Sequence, residues 1–168
     1  MDILRQRQEI VGLAISQRAK FEGWLKFELA DAARRNGATN LRFEHPLAAG
    51  RADLGFELQG VSCVVELKTP NTNYRMEGVA NLHRPITMNI DSIIEDAGKL
   101  RRCGGGMIAF ILFPLKTGDD AWLRYLTRVS DGVGQALSVG EHVTRETIAL
   151  SKGGSADVAV VAFDVPGA

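Results

Sequence analysis

Residues 51–68 read RADLGFELQGVSCVVELK, with apolar and polar side chains alternating on either side of Gln59-Gly60. Period-two alternation around a turn dipeptide is the pattern of a β-hairpin. Glycine at the second turn position accepts positive φ without a Cβ clash. Ala52, Leu54, Phe56 and Leu58 fall on one face, joined by Val61, Cys63, Val65 and Leu67 of the second strand. Arg51, Asp53, Gly55 and Glu57 fall on the other, with Ser62, Val64, Glu66 and Lys68. A two-residue turn at 59 and 60 fixes the register, so that Leu58 faces Val61 and Asp53 faces Glu66. Directly opposed side chains have Cβ atoms about 4.5–5.5 Å apart, and like charges so placed destabilise a sheet. A divalent cation between the two carboxylates would reverse that sign, because Mg²⁺ prefers hard oxygen ligands. A second reading stands beside the first. The outer side of an antiparallel hairpin is ordinarily polar, and the diagonals Arg51–Glu66 and Asp53–Lys68 would satisfy the charges without any metal.

On the N-terminal side, residues 3–36 read mainly as helix, ended by Asn36-Gly37, with a stripe of Phe21, Trp24, Leu25, Leu29 and Ala32 at helical spacing. Glu28 lies inside that stripe, where an unpaired carboxylate would be costly. Glu22 lies at its edge, four residues before Lys26, the spacing of a surface ion pair. Residues 41–47, LRFEHPL, read as a strand with Leu41, Phe43 and Leu47 on one side, His45 on the apolar side by alternation, and Pro46 suited to an edge.

On the C-terminal side, Thr69-Pro70 stops the hairpin, and residues 69–88 show no periodicity. A structureless stretch of that length is often functional. It carries Tyr74, Arg75 and Arg84, residue types that contact phosphates and stack on bases; an ordinary surface loop is the plainer reading. A helix capped by Asn89 follows, with Ile90, Ile93, Ile94, Ala97 and Leu100 on one face. Lys99, Arg101 and Arg102 in its last turn are explained by the helix dipole. Residues 107–113, MIAFILF, are continuously apolar, as in a strand covered on both faces. A helix over 121–129, a strand over 143–150 and a buried strand over 157–165 complete the chain.

At 168 residues the chain fits one domain, spanning 1–168. Net charge is zero and the isoelectric point near 6.8, which counts against a protein that grips nucleic acid through bulk positive charge. Between Lys68 and Arg102 six basic residues face four acidic ones, a mild local bias. Two cysteines without metal spacing make a reduced cytoplasm the expected setting, with Cys63 a small core residue. The N-terminus does not read as a secretory signal. No apolar run approaches the ~20 residues that span a bilayer, so no membrane is expected. The glycine run 104–106 is not a phosphate loop, and no GxSxG or zinc spacing occurs.

Asp53, followed thirteen residues on by Glu66-Leu67-Lys68 at the end of an apolar strand, resembles the PD-(D/E)XK nuclease superfamily. Ala52 stands where many members have proline. The resemblance implies an α/β restriction-endonuclease-like core: a mixed central sheet with an antiparallel meander, flanked by helices in the order helix, three strands, helix, strand. It further implies a metal-dependent endonuclease acting on DNA, with Asp53 and Glu66 as Mg²⁺ ligands (Mn²⁺ substituting), the Leu67 carbonyl as a third, and Lys68 on the attacking water and scissile phosphate. An acidic residue of the first helix, Glu22 or Glu28, would complete a second-metal site. Cutting both strands would need two copies, hence a homodimer. A catalytically silent nucleic-acid or protein-binding module on the same scaffold is the alternative, and an unrelated α/β domain with a solvated hairpin face is another.

Overall fold

The computed structural model describes residues 2–83 and 85–168. In chain order it has helices α1 (Asp2–Gln6), α2 (Gln8–Gln17) and α3 (Glu22–Arg35), and strands β1 (Thr39–Leu47), β2 (Gly50–Leu58) and β3 (Val61–Lys68). Helix α4 (Ile86–Arg102), strand β4 (Gly105–Leu115), helix α5 (Leu123–Val133) and strands β5 (Val143–Ala149) and β6 (Ser155–Pro166) follow. The strands form one six-stranded sheet in the order β1-β2-β3-β4-β6-β5. β1, β2 and β3 pair antiparallel, β3 and β4 parallel, and β6 antiparallel to both β4 and β5. The fold is thus α/β with a mixed sheet flanked by helices.

The two faces of β4 explain the layering. Ile108, Phe110 and Leu112 pack with α4 and α5, whereas Ile111 and Phe113 pack with Val11, Ile15, Phe21 and Leu25 of the N-terminal helices. A strand covered on both sides has no polar face, which is why residues 107–113 are continuously apolar. The hairpin is covered on both sides as well. Leu54, Val65 and Leu67 pack with Ala30 and Leu29 of α3, and Val64 packs into the α4 side. The face bearing Glu66 and Lys68 is therefore not the open polar surface that the plainer reading expected.

The hairpin register is the expected one. Leu58 pairs with Val61, Phe56 with Cys63 and Leu54 with Val65. Gln59 and Gly60 both have positive φ, at 51° and 80°, the geometry of the two-residue turn that matches strand twist.

Four expectations need correction. The N-terminal helix is broken after Gln17, because Arg18 takes a left-handed conformation (φ 52°) and ends α2. Helix α4 begins at Ile86, directly after Pro85, not at an Asn89 cap; proline lacks an N–H and suits the position where none is needed. Asn89 instead lies in the first turn, its N–H donating to the Pro85 carbonyl at 3.2 Å. On β1, Glu44 has φ 50°, which upsets the alternation. Leu41 then packs on the α3 side and Leu47 on the α4 side, while the His45 ring lies over Gly55. Cys63 is half-buried and lines an apolar cavity with Cys103.

Candidate active site

Where β2 parts from β3, side chains from five elements converge. The β2–β3 ladder ends at Leu54↔Val65, and beyond it the Asp53 carboxylate takes the place of a backbone acceptor, receiving the Leu67 N–H on Oδ2 at 2.9 Å. The N–H and C=O of one strand residue point to the same side, so the Leu67 carbonyl is directed to this edge too. Lys26 of α3 bridges Asp53 Oδ1 (2.9 Å) and Glu44 of β1. On β3, Glu66 is 3% exposed, and Lys99 of α4 donates to it and to the Arg51 carbonyl (2.8 Å). Asp96, one turn earlier on α4, takes Lys68 at 2.6 Å and Lys99 at 3.1 Å.

The electrostatics follow from this crowding. Burial pushes the Glu66 carboxyl up to about 7; Lys99 pulls against it, but the neighbouring Asp96 and Asp53 carboxylates add to the push. Burial also works against ionised Asp53, yet the Leu67 N–H and the Lys26 ammonium outweigh it and hold Asp53 below its ordinary value. Burial disfavours the Lys68 ammonium, and Asp96 more than offsets this, raising it. Lys99 is raised in the same way, by Glu66 and Asp96 against burial. Two adjacent carboxyl groups pushed in opposite directions are what a shared cationic ligand would relieve.

Of the residues expected from sequence, Asp53, Glu66, the Leu67 backbone and Lys68 come together here. Glu22 reaches the rim: its Oε1 accepts the Thr69 N–H at 2.8 Å, one residue beyond Lys68, and lies 3.8 Å from Lys20. Glu28 does not join them; Arg7 donates to it at 3.1 Å. Tyr74 is half-buried against the α4-side core, with no partner for its hydroxyl among the described residues, so it offers little ring face to a base. Arg75 is exposed. Arg84 lies outside the described residues.

Three residues of the cluster were missed. In the sequence Lys26 stands only as a partner for Glu22, Lys99 only as a dipole partner, and Asp96 only as one of the four acidic residues counted between Lys68 and Arg102. Asp96 did leave a signal: it sits three residues after Ile93 and four before Leu100, inside the buried stripe of α4, the placement that singled out Glu28. Among the described residues no three His, Cys, Asp or Glu side chains converge as a ready ligand set. Asp53, Glu66 and the Leu67 carbonyl nevertheless form an oxygen donor set of the kind a hard divalent cation takes. Comparison of the chain with protein-family models, with curated proteins and with solved structures returned no match.

Proposed function

We propose that the protein is a Mg²⁺-dependent nuclease that hydrolyses phosphodiester bonds of DNA, with the restriction-endonuclease-like core that Asp53 and Glu66-Leu67-Lys68 resemble. The observation that carries this reading is the carboxyl pair formed by buried Glu66 and half-buried Asp53. Glu66 is held beside Asp53 and Asp96 at a point where apolar packing would be less costly. The order α3, β1–β3, α4, β4, with β4 parallel to β3, is the order the resemblance implies and supports it further.

Asp53, Glu66 and the Leu67 carbonyl would hold the cation. Bound there, Mg²⁺ supplies a water of lowered pKa and offsets charge on the phosphate. Lys68, held protonated by Asp96, places an ammonium beside the carboxyl pair, where it binds the scissile phosphate and orients the water. Lys26 keeps Asp53 ionised and turned towards β3. Glu22, on the Thr69 N–H, fixes the chain as it leaves the site. A homodimer would let two such sites cut both strands.

One observation favours a catalytically silent binding module instead. Each carboxylate of the cluster has an ammonium partner: Asp53 with Lys26, Glu66 with Lys99, Asp96 with Lys68. A self-neutralised network can stand without a metal. The two readings separate in a supercoiled-plasmid assay in Mg²⁺, Mn²⁺ or EDTA. Nicking or linearisation that needs the metal and is lost in Lys68→Ala supports the nuclease. Plasmid that stays intact in every condition supports the module.

A further inference from the structure

Phe27 of α3 and Phe43 of β1 stand in water beside the carboxyl cluster. Phe27 is 63% exposed and Phe43 40%, yet their ring centroids lie 4.8 Å apart at an interplanar angle of 58°. At that tilt the rings do not stack face on face, so they leave ring face to the outside. The backbone is bent to bring them together. Successive strand side chains ordinarily point to opposite sides, but Phe43 meets Phe27 and the next residue, Glu44, meets Lys26, both on α3. Glu44 does so with φ 50°, a conformation unfavourable for any residue with a Cβ. Burial does not account for a strained residue that holds an aromatic pair at the surface, and strain of this kind gathers at functional sites.

The pair adjoins the candidate active site. Phe27 follows Lys26 and Phe43 precedes Glu44 in the chain, and Lys26 lies 2.9 Å from Asp53 Oδ1. One turn before Phe27, on the same side of α3, stands Gly23. It is exposed, and a Cβ there would meet nothing within 4 Å. Glycine is a poor helix former, and no contact within the chain requires it here, so the helix surface beside the ring is open to a close approach from outside. Size then selects the occupant. Two partly exposed phenylalanine rings offer on the order of 200 Å², about a quarter of what one partner gives to a standard protein interface. That suits a single flat ring better than a second copy of the chain. A strand that crosses the site would carry its bases past the pair, and every base has a π-face to stack.

We propose that Phe27 and Phe43 form a stacking platform for one unpaired base of the strand bound at the site, with Phe27 supplying the larger face. A base within a duplex is covered by its neighbours and would have to leave the stack to reach the ring. The substrate class becomes DNA with a single-stranded or extruded nucleotide beside the scissile bond. That last step rests on the nuclease reading; stacking on the pair does not require cleavage.

The test is fluorescence anisotropy of the whole chain in EDTA with three labelled probes of equal length: an oligodeoxythymidylate, an abasic strand and a blunt duplex. Wild type is expected to bind the oligodeoxythymidylate about 10-fold more tightly than the abasic strand. Phe27→Ala, at an exposed position, is expected to unfold cooperatively as wild type does and to lose most of that difference. Phe27→Trp is expected to keep it, and its added tryptophan emission to be quenched by the oligodeoxythymidylate and not by the abasic strand, a response that a merely structural ring would not give. Equal binding of the two strands by wild type, or none, would overturn base stacking. A difference that survives in Phe27→Ala would overturn the role of the pair, and tighter binding of the blunt duplex would overturn the preference for an unpaired base. A dimer seen by sedimentation and lost in Phe27→Ala would assign the pair to a second copy instead. Cleavage is not read in this assay. Base-dependent binding without plasmid nicking would therefore sink the nuclease reading alone, and nicking without base-dependent binding would sink the platform alone.

Discussion

Glu66 is a carboxyl group enclosed by Asp53, Asp96, Lys68 and Lys99, and its titration should be visible in the stability of the protein. It has an ordinary value of 4.5 and is pushed up to about 7 in the fold, by burial first and by Asp96 and Asp53 after it. Between those values the folded chain binds the proton more tightly than the unfolded chain, so this group's contribution falls as pH rises from about 4.5 to about 7. Glu66→Gln keeps the shape and removes the titration. Its stability relative to wild type is expected to improve between pH 5 and pH 8 by up to about 3 kcal/mol. Urea midpoints at the two values check this; a difference that does not change with pH would contradict it. Lys68 carries a separate expectation: Lys68→Ala abolishes metal-dependent cleavage while the cooperative unfolding transition persists. That Asp53 and Glu66 lie near each other could be read from sequence because a two-residue turn leaves one register, which holds as far as Leu54↔Val65. Lys26, Asp96 and Lys99 could not, because their distance from the hairpin is set by how α3 and α4 pack, which no local spacing encodes.

Among the elements, the break between α2 and α3 shapes the surroundings of the site. Arg18 is buried, and its guanidinium ties the loop after β3 to the helices through three carbonyls. Arg18→Met leaves those carbonyls without their donor, at a cost of about 3 kcal/mol or more; for a chain of this size that lowers the melting temperature by roughly 6–12 °C. Protease cleavage within residues 72–80 is expected to rise with it. A melting temperature within a degree of wild type would contradict the anchoring role. Helix α2 docks on β5 through Gly12, where an added Cβ would lie 2.1 Å from the Ala149 carbonyl oxygen. Gly12→Ala is accordingly expected to cost about 1–3 kcal/mol, although alanine is the better helix former. The strands were legible because their patterns are local: alternation for the hairpin, a continuous apolar run for β4. The break at Arg18 was not, since arginine is a good helix former and only the buried carbonyls around it favour a left-handed turn there. The flip at Glu44 escaped for the same reason, as a single positive-φ residue leaves no periodic trace.

For the molecule as a whole, the sheet places β3 beside β2 on one side and β4 on the other, so the carboxyl pair opens where the antiparallel meander meets the parallel crossover. No helix among the described residues is long and apolar enough to cross a membrane. Helices on both faces enclose the pair, and its charges are compensated from α3 by Lys26 and from α4 by Lys99. A cation that joins Asp53 to Glu66 would stabilise the folded chain by mass action. The most direct measurement is the melting temperature of wild type and Asp53→Asn across a titration of Mg²⁺ and Mn²⁺, since asparagine keeps an acceptor for the Leu67 N–H. Wild type is expected to rise with either cation and Asp53→Asn to stay level. Equal rises in both proteins, or none in wild type, would contradict a metal held by Asp53 and Glu66.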